Sequence, residues 1–168
     1  MEVEFVSPMM QYVVSILYVI ILLSEFNFFN KILLIAGIYF VSKFNQNLND
    51  YLQLTIKHEL KDKKLVKEKL EKGEKNIYGM PSGHAQYIAY FLVFIYLFYM
   101  KTKNSKLIRG KFIFALLIVT FILYVVEFFI CIIYNYHTPS EYIVGTIVGG
   151  VVSYITFFIL VALIGKKM

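Results

Sequence analysis

The sequence predicts an all-α membrane protein, a multi-pass transmembrane helical bundle of about five spans forming one domain over residues 1–168. Three observations predict it. Hydrophobic residues make up 59% of the chain, against roughly 45–50% in soluble domains. The apolar residues fall in long runs, several of them near the ~20 residues that cross a bilayer core as helix. Charged residues make up only 17% of the chain, and much of that charge is packed into Lys57–Lys75. In lipid the backbone must satisfy its own hydrogen bonds, so the runs read as helices, and the alternation of a β-barrel is absent. Disorder, a coiled coil and a disulfide-stapled fold are excluded. The single cysteine, Cys131, permits no intrachain disulfide.

The first span is Phe5–Leu23. Glu2 and Glu4 precede it in place of a basic n-region, so it does not read as a cleaved signal peptide. The second, about Phe28–Phe44, is weaker and carries Asn30 and Lys31 near its start. Asn45–Gly83 then separates spans two and three. Its Lys57–Lys75 part is polar, mixed in charge and helix-prone. Pairs such as Lys57/Lys61 and Lys64/Glu68 sit four residues apart, as on a solvated helix face with weak ion pairs. The third span is Ala85–Met100. The fourth, Phe112–Tyr134, is interrupted by Glu127. The fifth is Tyr142–Gly165, where Gly145 and Gly149 form a Gly-x-x-x-Gly suited to close helix packing.

The net charge of +6 comes from sixteen lysines and one arginine, Arg109, against eleven acids. Lysines flanking spans near anionic headgroups explain this balance, and no nucleic-acid partner is expected. With five spans, Asn45–Gly83 and the Asn135–Ser140 turn fall on one side. Lys101–Lys111 and Lys166/Lys167 fall on the other, which the positive-inside rule makes cytoplasmic. The eight lysines of Asn45–Gly83 pull the other way.

Two polar clusters interrupt the apolar pattern, Tyr78–Gln86 and Tyr134–Glu141. Each places a histidine, His84 or His137, at the start of a span, and both starts lie on one membrane face. Helix N-termini offer unpaired N–H groups and partial positive charge, so two converging starts suit a phosphate. Each cluster also has a purely structural reading. Pro81-Ser82-Gly83 fits a turn with Ser82 or Gly83 near the N-cap. Thr138-Pro139-Ser140-Glu141 fits a capping box, with Thr138 capping, Pro139 at N1 and Glu141 at N3.

The chemical reading gives these residues separate roles. A neutral His137 imidazole attacks phosphorus. Glu141, four residues on, holds its Nδ1 proton and leaves Nε2 free. His84 protonates the leaving group. Ser82 and the Gly83 amide hold phosphoryl oxygens. Glu127 reads either as a group orienting a lysine or His84, or as a helix-packing glutamate. Cys131 reads as a small apolar residue in a span, and His58 as a surface histidine.

Pro81-Ser82-Gly83-His84 resembles the second motif of the type 2 phosphatidic acid phosphatase superfamily of metal-independent lipid phosphatases. His137 and Glu141 match the last two positions of its third motif, Ser-Arg, five residues, His, three residues, Asp, with Glu in place of Asp. The strings Tyr-Gly-Met-Pro-Ser-Gly-His-Ala-Gln and Tyr-His-Thr-Pro-Ser-Glu look most like the dolichyl diphosphatase branch. The resemblance runs from Asn49 to Gly150. Ile130 and Cys131 stand where the third motif has Ser and Arg. The first motif, Lys, six residues, Arg-Pro, has a counterpart only in the spacing of Lys57 and Lys64, or of Gln53 and Leu60.

The resemblance implies hydrolysis of a membrane lipid phosphate, of polyisoprenyl diphosphate type, through a phosphohistidine. It implies catalytic His137, His84 and Glu141, with Ser82, Gly83, Lys57 and Lys64 binding substrate. No cofactor and no metal are expected, because no clustered ligand set is visible along the chain. The expected setting is an endoplasmic-reticulum-type or other internal membrane if the source is eukaryotic or viral, with the site facing the lumen or the extracytoplasmic side. The alternative is a weakly active or inactive relative that binds lipid phosphate or serves structurally.

Overall fold

The computed structural model describes residues 43–57, 66–67, 70–71, 73, 78–102 and 109–164. Among these, four helices form the architecture: α1 over 43–56, α2 over Gly83–Thr102, α3 over Arg109–Ile133 and α4 over Pro139–Ile164. The last three are long and apolar enough to cross a membrane, and they coincide with the expected third, fourth and fifth spans. The expected first span, Phe5–Leu23, lies outside the described residues, as does all but the end of the second. The described chain therefore carries three candidate spans rather than five.

α1 falls in the stretch expected to separate two spans. Its Asn45, Asn49 and Gln53 recur every fourth residue and share one face, and all three are buried. Phe44, Tyr51, Leu54 and Ile56 are exposed instead. This is the reverse of a water-soluble amphipathic helix and suits a helix lying beside lipid. The helix closes where the Lys57 N–H donates to the Gln53 carbonyl at 2.9 Å. Lys57 itself takes the left-handed φ of 53° typical of a helix end. The expected Lys57–Lys75 helix is therefore not a continuation of α1. Beyond it, helix is described at 66–67 and 70–71, with an exposed Lys67–Glu71 ion pair at 3.8 Å. Such a pair contributes little.

α2 is the central helix, with α3 and α4 packed against it. Its Tyr90, Phe91, Phe94 and Ile95 meet Ile113 and Leu116 of α3 and Val152 and Phe157 of α4. Lipid is as apolar as these side chains, so close packing rather than escape from water holds the core. The α2–α4 seam is closest at two glycines. A methyl group on Gly145 would strike the Ser82 carbonyl oxygen, and one on Gly149 the Gln86 carbonyl. On the outer faces, Ile118, Phe121, Ile122 and Phe129 of α3 and Ile143, Ile147, Val151 and Phe158 of α4 are exposed, as spans bordered by lipid require.

Candidate active site

The start of α2 is capped by Ser82, whose Oγ accepts the Ala85 N–H at 3.4 Å. The turn before it is held from α1. The Pro81 carbonyl accepts from Asn49 Nδ2 at 3.1 Å and from Gln53 Nε2 at 2.8 Å. One turn into α2, Gln86 is fully buried and its amide is satisfied on both sides. Oε1 accepts from Asn49 at 2.8 Å, and Nε2 donates to the carbonyl and side-chain oxygens of Asn45 at 2.8 and 2.7 Å. Unpaired, these amides would be costly to bury.

The start of α4 is held by its own residues. The Thr138 N–H donates to Glu141 Oε2 at 2.7 Å, and the Glu141 N–H donates to Thr138 Oγ1 at 3.3 Å. This is the capping box expected from Thr138-Pro139-Ser140-Glu141. Before it the chain leaves α3 through Asn135, at φ 56°, a conformation asparagine tolerates. The His137 N–H then donates back to the Cys131 carbonyl at 3.3 Å.

The two starts meet, with the Ser82 N–H donating to the Glu141 carbonyl at 3.1 Å. This brings the His84 and His137 rings to 5.8 Å between centroids, edge to face at 62°. Glu141 Oε2, already fixed by the capping box, lies 3.4 Å from His137 Nδ1. The His137 side chain is 8% exposed and that of Glu141 1%. Both side chains are thus largely buried against each other, the carboxylate almost completely.

α3 supplies the third side. Glu127 and Cys131, one turn apart, are both fully buried, and Cys131 Sγ lies 3.7 Å from Glu127 Oε1. A ring nitrogen of His84, a Glu127 oxygen and Cys131 Sγ all fall within 4.8 Å of one another. They come from two helices, more than forty residues apart in the chain, so their spacing gave no sign of a ligand cluster. Ala85, Cys131 and Tyr142 pack together beneath, against Tyr124 and Phe128. The Tyr142 hydroxyl donates to the Tyr124 carbonyl at 3.1 Å, tying α4 to α3.

Of the residues singled out from the sequence, Ser82, Gly83, His84, His137 and Glu141 come together at this end of the bundle. Glu127 joins them on the His84 side. Lys57 is exposed at the end of α1, one turn beyond the Gln53 that reaches Pro81. Lys64, Lys61 and His58 lie outside the described residues. Sequence reasoning missed Asn45 and Asn49. Their signal was amides at every fourth position in a stretch otherwise read as a connector.

Comparison with curated proteins and with solved structures returned no match. A family model described as the PAP2 superfamily matches residues 47–164. That match runs from α1 through both histidine-bearing helix starts to the end of α4, and the chain belongs to the PAP2 superfamily.

Proposed function

We propose that the chain hydrolyses a membrane lipid phosphate, specifically a polyisoprenyl diphosphate of the dolichyl type, through a phosphohistidine on His137. Membership in a superfamily of phosphatases supports hydrolysis of phosphate esters in general. The observation that carries the finer reading is the convergence of two helix starts, with the histidine rings 5.8 Å apart and Glu141 3.4 Å from His137 Nδ1. One phosphoryl group between those starts touches both rings.

In this reading His137 attacks phosphorus through Nε2 while Glu141 holds the Nδ1 side of the ring. The bond from phosphorus to the leaving oxygen breaks, and His84 delivers a proton to that oxygen. Water then attacks the phosphohistidine, His84 takes up a proton, and inorganic phosphate leaves. Ser82 and the Gly83 amide at the first turn of α2 donate to the phosphoryl oxygens. Lys57 and Lys64 supply positive charge. The dolichyl assignment rests on the strings around His84 and His137. The same reading keeps five spans, with the site on the lumenal face of an internal membrane.

One observation favours a second reading. Buried Glu127 and Cys131 line the site where the third motif would bring an arginine. With Cys131 in that position the bidentate grip of an arginine on phosphate is missing there, which favours a weak or inactive relative that binds lipid phosphate or serves structurally.

The test is phosphate release from a polyisoprenyl diphosphate and from phosphatidic acid, in detergent with a chelator. The wild type is expected to turn over the diphosphate, and His137→Ala to lose on the order of 10³-fold or more. Turnover that survives His137→Ala overturns the phosphohistidine route. A folded wild type that binds the lipid phosphate without turnover establishes the second reading instead.

A further inference from the structure

We propose that His84, Glu127 and Cys131 form a binding site for a thiol-accepting divalent cation of the zinc class. Three kinds of observation carry it: donor chemistry, spacing and charge. The trio offers an imidazole nitrogen, a carboxylate oxygen and a thiol sulfur that a cation would deprotonate, all within 4.8 Å of one another. Calcium and magnesium choose all-oxygen sites, whereas mixed nitrogen, oxygen and sulfur sets suit zinc.

A tetrahedral zinc site, with bonds of ~2.0–2.3 Å, sets neighbouring donor atoms about 3.3–3.6 Å apart. Cys131 Sγ and Glu127 Oε1 are 3.7 Å apart before any ion is added. The pair shares one face of α3, and the hydrogen bond from the Cys131 S–H to Glu127 Oε1 holds it at that spacing. His84, on α2, has a ring nitrogen within 4.8 Å of both, and metal bonds would draw the three donors together.

Charge completes the case. Glu127 is 0% exposed and Cys131 1%, inside a span. In the metal-free chain the Cys131 S–H donates to Glu127 Oε1; once both are ionised, a carboxylate and a thiolate there are expensive without a counter-charge. A divalent cation cancels both, so the loaded site carries no net charge. Binding breaks the Cys131 S–H bond, releases its proton to solvent and forms the metal–sulfur bond. Three protein ligands leave a fourth position for water or a phosphate oxygen.

The inference goes beyond the phosphatase reading and does not require turnover. It does bear on it. A His84 that ligates the cation is no longer the acid of the phosphohistidine route, so the loaded and hydrolytic states exclude one another.

The experiment uses the full chain in detergent, stripped of metal and titrated with Co²⁺ as the optical stand-in for zinc. One cobalt per chain is expected, with a thiolate-to-cobalt charge-transfer band that Zn²⁺ displaces. Cys131→Ser should abolish the band. Glu127→Gln and His84→Ala should weaken cobalt affinity by at least ~10-fold. His58→Ala should leave both unchanged. Zn²⁺ should also raise the thermal midpoint of the wild type and not that of Cys131→Ser, provided the variant unfolds cooperatively without metal. A folded wild type with no band, or a band that survives Cys131→Ser, overturns the site. Neither readout involves phosphate release, so failure here and failure of the phosphatase reading are told apart.

Discussion

The start of α4 is held by its own residues, whereas the start of α2 is held by another helix. At α4, Thr138 and Glu141 satisfy each other within one turn. At α2, Ser82 supplies one cap, and the turn before it hangs from Asn49 and Gln53 of α1. Gln86 locks the same face to Asn45. Both starts present a histidine to the same space. The difference teaches that one half of the site is assembled locally, and the other exists only once α1 has docked.

The largest expected effect separates the chemical job of the capping box from its structural job. Glutamine also serves at the third helical position of a capping box, so Glu141→Gln should leave the fold intact. It removes the carboxylate beside His137 Nδ1, and phosphate release should fall on the order of 10²-fold. The drop should appear in kcat more than in KM, since the residue positions His137 rather than gripping substrate. Unchanged kcat in a stable variant would reduce Glu141 to a cap.

Next in size is the interhelical half. Gln86→Leu keeps the volume but strips three hydrogen bonds and leaves the Asn45 oxygens buried. A loss of about 1–3 kcal/mol is expected, read as a lower thermal midpoint in detergent. A variant as stable as the wild type would show that α1 does not hold the α2 start.

The smallest effect is Thr138→Ala, which removes one cap for about 1 kcal/mol. Combined with Gln86→Leu it sharpens the comparison. The two starts share the bond from the Ser82 N–H to the Glu141 carbonyl at 3.1 Å. The double variant should therefore depart from additivity by at least ~0.5 kcal/mol. Strict additivity would mean the two starts are built independently.

The same contrast explains what could be read along the chain. Three spans were legible because apolar runs of that length have one stable outcome in lipid. The α4 capping box was legible because its partners sit three residues apart. His84 and His137 were legible as a matched pair at helix starts, and Gly145 and Gly149 as a packing seam. The amide ladder was not, because Asn45, Asn49 and Gln53 look like any polar connector until the buried Gln86 and the Pro81 carbonyl, 28 to 41 residues away, pair with them. Glu127 and Cys131 were visible singly, but only the packing of α3 on α2 sets them against His84. The lysines show the converse. Lys57 and Lys64 matched a motif by spacing, yet Lys57 is an exposed helix end with a left-handed backbone.

The central claim is that the converging starts make His137 a phosphate-transfer nucleophile. The most direct measurement is to quench turnover of a phosphate-labelled polyisoprenyl diphosphate and locate the label on the chain by mass spectrometry. The account predicts an acid-labile, base-stable phosphoryl group on His137, absent from His137→Ala. Turnover with no covalent label, or label on another residue, would contradict it.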